Sequence, residues 1–450
     1  MAQLHSRVDE YGRDASNEFS FIMLDAAMAT MSCQTQIALR YHPNINHGLL
    51  LKAIDCIRTG VGYPDIHNDS VVIPWWAERG TPLKIARNYV VGGCVSPTLP
   101  GKNTQSRLQQ ACYLSVGKCL ELALNQGKDF SSGEQLGYPT PDPLTFTSVD
   151  DVMQAYLKQV NFAFDKAVKI ENIALDAYRR YDRIPFNSTL IDGCIKKGMD
   201  CTEWTEYSYP LVIYSGPINV ADSLAAMKKL VFEEKSVSMK ELLDALRDNF
   251  EGHEELRQKL LNEAPKFGND DDYVDFIARE VIHRTKEEIE KFTDIWGTPW
   301  TMDGSIAGGY YGAGRATGAL PDGKREGRID VYADGTVSPA AGRDRRGPTA
   351  VIKSMGKVAP PFSQTANQKF MPQFLDGENK ETFASYLKTW TQHQRSNFLT
   401  NVVDSDTLLR AQKEPEKYTD LVVRVAGYSA YFVDLPKGLQ DDIIARTSQS

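Results

Sequence analysis

Short apolar segments alternate with long amphipathic segments along this chain of 450 residues. In the long segments, apolar residues recur at the three- and four-residue spacing of a helix. The short segments are rich in β-branched residues and are bounded by turn formers, as strands are. This alternation is typical of a parallel α/β architecture. The predicted helices are 152–178, 220–232, 238–250 and 271–292, and the predicted strands are 71–73, 88–91, 211–214, 328–332 and 421–425.

Composition and charge exclude several classes of protein. Hydrophobic residues make up 42% of the chain and charged residues 24%, which are ordinary values for a globular protein. The net charge of −8 argues against a nucleic-acid-binding protein, because such proteins carry a basic surface. No apolar run reaches the ~18 residues that span a bilayer, and the first residues lack the apolar core of a signal peptide. We therefore expect a cytoplasmic protein that binds neither nucleic acid nor membrane.

The seven cysteines and seven histidines do not follow the spacing of metal ligands. The sequence contains no CxxC pair and no HExxH motif, so it predicts no protein-bound metal. An odd number of cysteines without an export signal also argues against a disulfide framework. Most of the cysteines are therefore predicted to be buried thiols.

The first motif with chemical meaning is the segment NYVVGGCVSP, residues 88–97. A short apolar strand runs into two glycines, a cysteine and a proline. The glycines allow a sharp turn and Pro97 stiffens the exit, so Cys94 is predicted to lie on a constrained loop at a strand end. Active-site residues of α/β barrels lie at such strand ends. A small buried cysteine that only packs is the alternative.

The second motif is RVAGYSAYFVDL, residues 424–435. Here Gly427 stands inside a strand-like apolar run. A glycine in such a run usually marks a bulge or a close approach of two backbone segments. Taken alone, the motif indicates no more than that.

Together the two motifs resemble the glycyl radical enzyme family, whose members include pyruvate formate-lyase and glycyl radical dehydratases and decarboxylases. The resemblance covers residues 58–447, with its matches in the family's order. The family's cysteine loop stands here as Gly93, Cys94 and Val95, and its C-terminal signature as Arg424, Val425, Gly427 and Tyr428. Further stretches that are similar to the family are 60–69, 185–200, 219–224 and 264–270.

The resemblance implies a fold and a domain organisation. Family members form one ten-stranded β/α barrel in which the cysteine and glycine loops meet, and they typically run to about twice the length of this chain. The chain is therefore predicted to be the C-terminal half of such a barrel. Residues 1–400 would form the barrel part with the cysteine loop, and residues 401–450 the glycine radical domain. A partial sequence and a split subunit both remain open.

The resemblance also implies roles for two residues. Gly427 would be the modified residue that stores a backbone radical, which glycine suits because no side chain crowds the radical centre. Cys94 would receive the radical as a thiyl and abstract hydrogen from the substrate. No tightly bound cofactor is implied, because a separate radical S-adenosylmethionine activase with an iron–sulfur cluster makes the radical. The implied partners also include a second catalytic subunit in a homodimer and small accessory subunits.

The residue two positions after the cysteine separates the branches of the family. In the dehydratases and decarboxylases it is typically a glutamate that serves as acid or base, whereas here it is Ser96. Pyruvate formate-lyase uses two adjacent cysteines, but Cys94 is flanked by Gly93 and Val95. The loop resembles that of the catalytic alpha subunit of benzylsuccinate and alkylsuccinate synthases. The main prediction is therefore addition of an alkylbenzene or alkane to fumarate, giving a substituted succinate.

Three residues are predicted to bind substrate. Fumarate is a dianion, so the site should supply a guanidinium, and Arg107 is the nearest candidate. A surface arginine on a helix over 104–119 is the alternative. Tyr214 and Ile218 are candidates for the apolar wall that holds the hydrocarbon, with ordinary core packing as the alternative.

Two other functions stay open. One is a glycyl radical dehydratase or decarboxylase, of the diol or arylacetate type, with a displaced carboxylate from Asp65 or Asp69. The other is a fragment or scaffold that keeps the motifs and cannot be activated. Cys112 and Cys119 are predicted to pack on the helix that follows the cysteine loop.

Overall fold

A computed structural model describes most of the chain. The described residues are 2–3, 8–33, 36–92, 95–103, 112–303, 309–327, 332–333, 337–358, 365–393 and 396–449. Cys94 and Arg107 of the predicted site lie outside these ranges, as does most of the predicted strand 328–332.

Among the described residues, the largest sheet has six strands, which lie in the order β1 (Ala2–Gln3), β2 (Ile37–Tyr41), β3 (Asp65–Asn68), β10 (Asn397–Val402), β9 (Thr365–Phe370) and β13 (Ser448–Gln449). All neighbours run parallel except β3 and β10, which pair antiparallel with His67 opposite Asn397. Two sets of parallel strands therefore meet in opposite directions at this junction.

The remaining strands of the described ranges form one parallel sheet of three strands and two antiparallel pairs. Among the described residues, no ladder joins the three-stranded sheet to the six-stranded one. The α/β class is confirmed, but the predicted C-terminal half of a ten-stranded barrel is not, because these strands pair only within separate sheets. The strands are β4 (Val90–Gly92) with β5 (Ser96–Thr98), β6 (Cys112–Ser115) with β7 (Leu211–Ser215) and β8 (Thr301–Asp303), and β11 (Val422–Arg424) with β12 (Ser429–Tyr431).

Helices surround the sheets. In the first half of the chain they are α1 (Glu18–Thr30), α2 (His47–Arg58), α3 (Asp69–Glu78), α4 (Leu83–Ala86), α5 (Val116–Ala123), α6 (Val149–Tyr181), α7 (Pro185–Thr189), α8 (Cys194–Lys197) and α9 (Pro217–Ala226). A π-helical turn (Met227–Glu233) extends α9. The later helices are α10 (Met239–Arg247), α11 (Glu254–Asn262), α12 (Asp272–Ile289), α13 (Gly309–Ala316), α14 (Pro348–Lys357), α15 (Asn379–Gln392), α16 (Ser405–Lys413) and α17 (Lys437–Ala445).

The strongly periodic segments are predicted well. The segment 152–178 is one helix, α6, which begins with a capping box of Ser148 and Asp151. Predicted strand 71–73 is wrong, because it lies inside α3, where the Asn68 side chain accepts a hydrogen bond from the Ser70 backbone N–H and starts the helix. The helix predicted at 220–232 begins earlier, at Pro217.

The six-stranded sheet has an apolar face and a polar face. Since side chains alternate along a strand, the register assigns each residue to one face. The apolar face belongs to the main hydrophobic core, which it shares with α2 and α15: Leu39, Tyr41, Ile66, Ala366, Phe370, Phe398 and Val402. The opposite face is also buried, and it carries Arg40, Asp65, His67, Thr365, Asn367, Lys369, Asn397 and Asn401. This buried polar face is where we expect chemistry.

Across the described ranges, no helix is both long enough and apolar enough to cross a membrane.

The buried amine of Lys369 predicts a pH dependence of stability. It donates to Ser405 Oγ at 3.0 Å and to the Ile444 carbonyl at 3.0 Å, at the end of α17. Burial, together with the nearby charge of Arg446, lowers the pKa of Lys369 to about 8. Between about pH 8 and 10.5 the unfolded chain therefore holds a proton that the folded chain does not, so stability rises with pH in this window.

We expect Lys369→Met to remove this pH-dependent contribution to the free energy of unfolding. Over that window, the free energy of unfolding of the unmodified chain should rise relative to that of Lys369→Met by about 3 kcal/mol. Urea unfolding at a series of pH values measures it. Lys240→Met, at an exposed position on α10, controls for the loss of a lysine. Parallel curves for the unmodified chain and Lys369→Met would contradict the assignment.

Candidate active site

Gly427 lies in a buried turn between two short strands near the end of the chain. The strands β11 and β12 pair antiparallel, with Arg424 opposite Ser429. The Val425 N–H donates to the Tyr428 carbonyl at 3.0 Å and closes the turn. We call residues 425–428 the glycine turn. Gly427, which the sequence places inside a strand-like run, therefore lies at the tip of a hairpin and is shielded from solvent.

Side chains donate hydrogen bonds to the backbone carbonyls of Arg424 and Val425, where the chain leads into the glycine turn. Arg446 donates to the Val425 carbonyl at 2.8 Å and to the Arg424 carbonyl at 3.2 Å. Asn367, from β9, donates to the Val425 carbonyl at 3.3 Å. Asn401, from β10, donates to the Arg424 carbonyl and accepts from the Arg424 N–H at 2.6 Å. The turn is therefore fixed to the polar face of the sheet and to the end of α17.

The next two carbonyls are bound as well. The Arg424 Nε donates to the Ala426 carbonyl at 2.8 Å. The Gln36 side-chain amide, which lies just before β2, donates to the Gly427 carbonyl at 2.8 Å. Both carbonyl groups that flank the Gly427 Cα thus accept a hydrogen bond from a side chain.

Arg446 is itself held in place by two partners. It lies 2.9 Å from the Asp442 carboxylate, one turn earlier on α17, and donates to the Tyr310 hydroxyl oxygen at 3.1 Å. All three side chains are buried. The carboxylate balances a guanidinium charge that would otherwise be isolated in the interior.

A second buried ion pair connects the glycine turn to β3. The Arg424 Nη2 lies 3.6 Å from Asp65 Oδ1, and neither side chain is exposed. The other carboxylate oxygen of Asp65 lies 2.8 Å from His67 Nε2. The second ring nitrogen of His67, Nδ1, is buried and has no hydrogen-bond partner among the described residues. Asp65 thus links His67 to Arg424, the signature arginine that lies three residues before Gly427.

Asp69, the other candidate carboxylate, is fully engaged in a structural pair. Its two oxygens lie 2.8 Å from Arg40 Nε and Nη2, and the Tyr89 hydroxyl donates to it at 2.7 Å. Arg40 also donates to the Tyr89 carbonyl at 2.8 Å. Burial alone would lower the pKa of Arg40, but Tyr89 and Asp69 raise it overall. We conclude that Asp69 keeps Arg40 charged and fixes the residue before β4.

The strands on either side of the cysteine loop form a hairpin. In it, β4 and β5 pair antiparallel with Gly92 opposite Ser96. Ser96 is buried, and its carbonyl accepts a hydrogen bond from the Thr98 hydroxyl at 3.2 Å. Cys94 itself lies outside the described residues, so its role as the thiyl residue stays a prediction.

The predicted substrate-binding residues do not gather around the glycine turn. Tyr214, near the end of β7, and Ile218, in α9, are both almost fully buried in the main hydrophobic core, which favours the packing alternative. Arg107 lies outside the described residues. Cys119 packs in the core from α5. Cys112 begins strand β6, so the predicted helix over 104–119 is wrong at residues 112–115, whereas residues 116–119 do lie in a helix, α5.

The comparison with family models agrees with this geometry. The model described as pyruvate formate lyase-like matches residues 8–307. The chain belongs to this family. A second model, described as glycine radical, matches residues 333–433 and so includes Gly427 and its turn.

Individual relatives of this pyruvate formate lyase-like chain are lyases. A (2S)-3-sulfopropanediol dehydratase of Klebsiella oxytoca is 34% identical over 98% of this chain and 54% of that protein. An isethionate sulfite-lyase of Nitratidesulfovibrio vulgaris is 33% identical over 97% of this chain and 53% of that protein. The glycerol-bound structure of the B12-independent glycerol dehydratase of Clostridium butyricum superposes with a TM-score of 0.93 at 36% identity, covering 98% of this chain and 56% of that one.

These relatives correct the predicted branch of the family and show how much of a relative's length this chain covers. They do not support a special relation to benzylsuccinate and alkylsuccinate synthases, which was inferred from the serine two positions after Cys94. They favour the elimination alternative over fumarate addition. The chain also spans about half the length of the relatives it matches.

Sequence reasoning did not find Gln36, Asn367, Asn401 and Arg446. These residues bind the glycine turn from segments far apart in the chain, and none of them belongs to a motif with a known spacing. The sequence does single out Arg424, as part of the signature, and Asp65, as one of two candidate carboxylates.

The contact between the loop before β3 and the glycine turn gives a testable prediction. Gly62 has a φ of +80°, and a Cβ added there would lie 2.7 Å from Ser429 Oγ and 3.2 Å from Arg424 Cβ. Gly62→Ala should therefore strain the backbone by about 1–2 kcal/mol and also displace the turn. Amide hydrogen exchange in β11 and β12 should speed up.

Gly80→Ala is the matched control. Gly80 has a φ of +83° but nothing within 4 Å of its added Cβ, so it reports backbone strain alone. It should lower the free energy of unfolding by a similar amount and leave exchange in β11 and β12 unchanged. Equal exchange in the two variants would show that Gly62 does not hold the turn.

Proposed function

We propose that this protein is a glycyl radical lyase that eliminates a leaving group from a small alcohol. The observation that carries the proposal is the buried Asp65–His67 couple, which the Arg424 guanidinium connects to the glycine turn. The relatives support it, since their names describe dehydration or sulfite release from small hydroxylated compounds. The substrate class we assign is an alcohol that carries hydroxyl or sulfonate on the neighbouring carbon.

The radical steps use two residues of this chain. The Gly427 radical takes the hydrogen atom of the Cys94 thiol, and the resulting thiyl takes a hydrogen atom from the carbinol carbon of the substrate. The neighbouring C–X bond then breaks and the leaving group departs with its electron pair. The product radical recovers the hydrogen atom from Cys94, and Gly427 becomes the radical again. No net oxidant or reductant is consumed.

Elimination also needs two proton transfers, and these are the role we assign to the couple. The carbinol hydroxyl must lose a proton as the carbonyl forms, and a hydroxide leaving group must gain one. Ser96 cannot perform either transfer without a partner base. His67, oriented by Asp65, has a ring nitrogen that is buried without a partner among the described residues, an arrangement that costs about 1–3 kcal/mol. Such a cost favours a functional use of this nitrogen.

We also propose the partners and the domain organisation that the family uses. A radical S-adenosylmethionine activase would install the radical at Gly427. The working enzyme would be a homodimer, with or without small accessory subunits. We place the glycine radical domain at residues 401–450 and the cysteine-bearing barrel part at residues 1–400.

Addition of a hydrocarbon to fumarate is the second candidate. Ser96 favours it, because a serine stands where an acid or base is expected and radical addition needs no proton transfer. Arg107 would then bind fumarate. In this case the Asp65–His67 couple would serve only to balance the buried charge of Arg424.

Radical storage has a direct spectroscopic test. Anaerobic incubation with a family activase, S-adenosylmethionine and a reductant should give the doublet of a glycyl radical in the electron paramagnetic resonance (EPR) spectrum. Gly427→Ala should abolish the doublet, whereas Gly312→Ala, at a position with open space around it on α13, should keep it. Exposure to air should cut the activated chain at residue 427. A doublet that survives Gly427→Ala would place the radical elsewhere.

The reaction class is tested with the activated protein. Incubation with 1,2-propanediol, glycerol or isethionate should release an aldehyde with water or sulfite, and incubation with fumarate and toluene should give no succinate. His67→Gln should lower kcat by about 10²–10⁴-fold with the EPR doublet unchanged. His42→Gln replaces another buried histidine, which pairs with Asp14, and should leave kcat unchanged. A substituted succinate formed at full rate by His67→Gln would favour the second candidate.

A further inference from the structure

The Gly427 carbonyl has a donor of an unusual kind. Gln36 lies 391 positions away in the sequence, and its Nε2 is 2.8 Å from the carbonyl oxygen. It immediately precedes β2, the strand that carries Arg40 on the polar face. The preceding carbonyl, that of Ala426, is bound by Arg424. The two peptide groups that share the Gly427 Cα are therefore each fixed by one side chain.

The chemistry of a backbone radical gives this carbonyl a special importance. When the Cα–H bond of a glycine breaks homolytically, the unpaired electron spreads onto the adjacent carbonyl and amide nitrogen, provided that both peptide groups stay coplanar with the radical centre. In this delocalised form the nitrogen donates electron density and the carbonyl oxygen becomes more negative. A hydrogen-bond donor aimed at that oxygen therefore stabilises the radical more than the intact glycine.

A primary amide suits this position better than other donors. A thiol or phenol beside the radical would offer a weak S–H or O–H bond from which the radical could take a hydrogen atom. The N–H bond of an amide is too strong for that reaction. A glutamine side chain also carries no charge, so it adds no uncompensated ion to a buried site.

We propose that Gln36 is a positioning residue that stabilises the radical form of Gly427 through the hydrogen bond to its carbonyl. This inference rests on the proposed storage of the radical at Gly427. In activation, the Gly427 Cα–H bond breaks and a C–H bond forms on the carbon radical that the activase generates from S-adenosylmethionine. In turnover, the Cys94 S–H bond breaks and the Cα–H bond re-forms. Gln36 shifts both equilibria toward the glycyl radical.

The test compares Gln36→Leu and Gln36→Glu with the unmodified chain. Gln36→Leu removes the hydrogen-bond donor and keeps a side chain of similar volume. Gln36→Glu keeps the length of the side chain and replaces the donor by an acceptor. After identical anaerobic activation, both should hold about three- to tenfold less radical per chain, which corresponds to one hydrogen bond. The hyperfine splitting of the EPR doublet should also change, because the distribution of the unpaired electron changes.

Gln412→Leu is the matched control. Gln412, on α16, also donates a side-chain hydrogen bond, to Asp441 at 2.7 Å, but it does not contact the glycine turn. It should leave the yield and the splitting unchanged. If Gln36→Leu fails to fold, electron–nuclear double resonance on the unmodified chain decides. With the side-chain amides of glutamine labelled with ¹⁵N and the backbone unlabelled, a ¹⁵N nucleus coupled to the radical should appear.

The outcomes separate this inference from the proposed function. Absence of a doublet in the unmodified activated chain would contradict radical storage itself. A doublet in the unmodified chain that has the same yield and splitting in Gln36→Leu would overturn the role of Gln36 alone. Absence of a coupled ¹⁵N nucleus from a glutamine side chain would overturn it as well.

Discussion

The buried guanidinium of Arg424 is the constraint on which the site depends. One side chain binds the Ala426 carbonyl, the Gly62 carbonyl and the Asp65 carboxylate, and so joins the glycine turn to β3 and to the loop before it. A fully buried cation is tolerated only when a carboxylate and enough acceptors surround it. Asp65 supplies that carboxylate, with its Oδ1 3.6 Å from the Arg424 Nη2. The same carboxylate orients His67, so one electrostatic requirement of the fold also organises a candidate acid–base group.

The two faces of the six-stranded sheet are both buried, but they have different roles. Its apolar face supplies burial against α2 and α15, which stabilises the fold without any specific chemistry. Its polar face is just as inaccessible, yet it carries charged and amide side chains, and two of the amides, Asn367 and Asn401, donate to the Val425 and Arg424 carbonyls at the start of the glycine turn. Buried polar groups of this kind stabilise only when each has a partner. The backbone of Arg424 and Val425 supplies partners for Asn367 and Asn401, which connects the sheet to the turn.

Much of the fold could be predicted from the sequence, and the reasons for the failures are physical. The 3.6-residue period of α6 and the short apolar runs of β7 and β11 are local signals, and they led to the correct elements. The β-branched residues in 71–73 looked like a strand, but the Asn68 cap starts a helix there, which then buries Trp76. Propensity is a weak prior when a cap and tertiary burial oppose it.

The site was predicted less completely than the fold. The motifs single out Gly427 and make Asp65 one of two candidate carboxylates, but they predict neither the hairpin tip nor the donors to the turn. Gln36, Asn401 and Arg446 become neighbours only when β2, β10 and α17 have assembled, and no local pattern marks them.

The wide separation of these donors along the chain determines when the site forms during folding. The donors to the glycine turn come from the first tenth of the chain and from its last fifth, so they meet only after the longest loops have closed. Contacts of such high sequence separation form late, because the entropy of closing the intervening chain must be overcome first. An incompletely folded chain therefore has no ordered glycine turn. The proposed storage of a radical at Gly427 would therefore require that the rest of the protein has already folded.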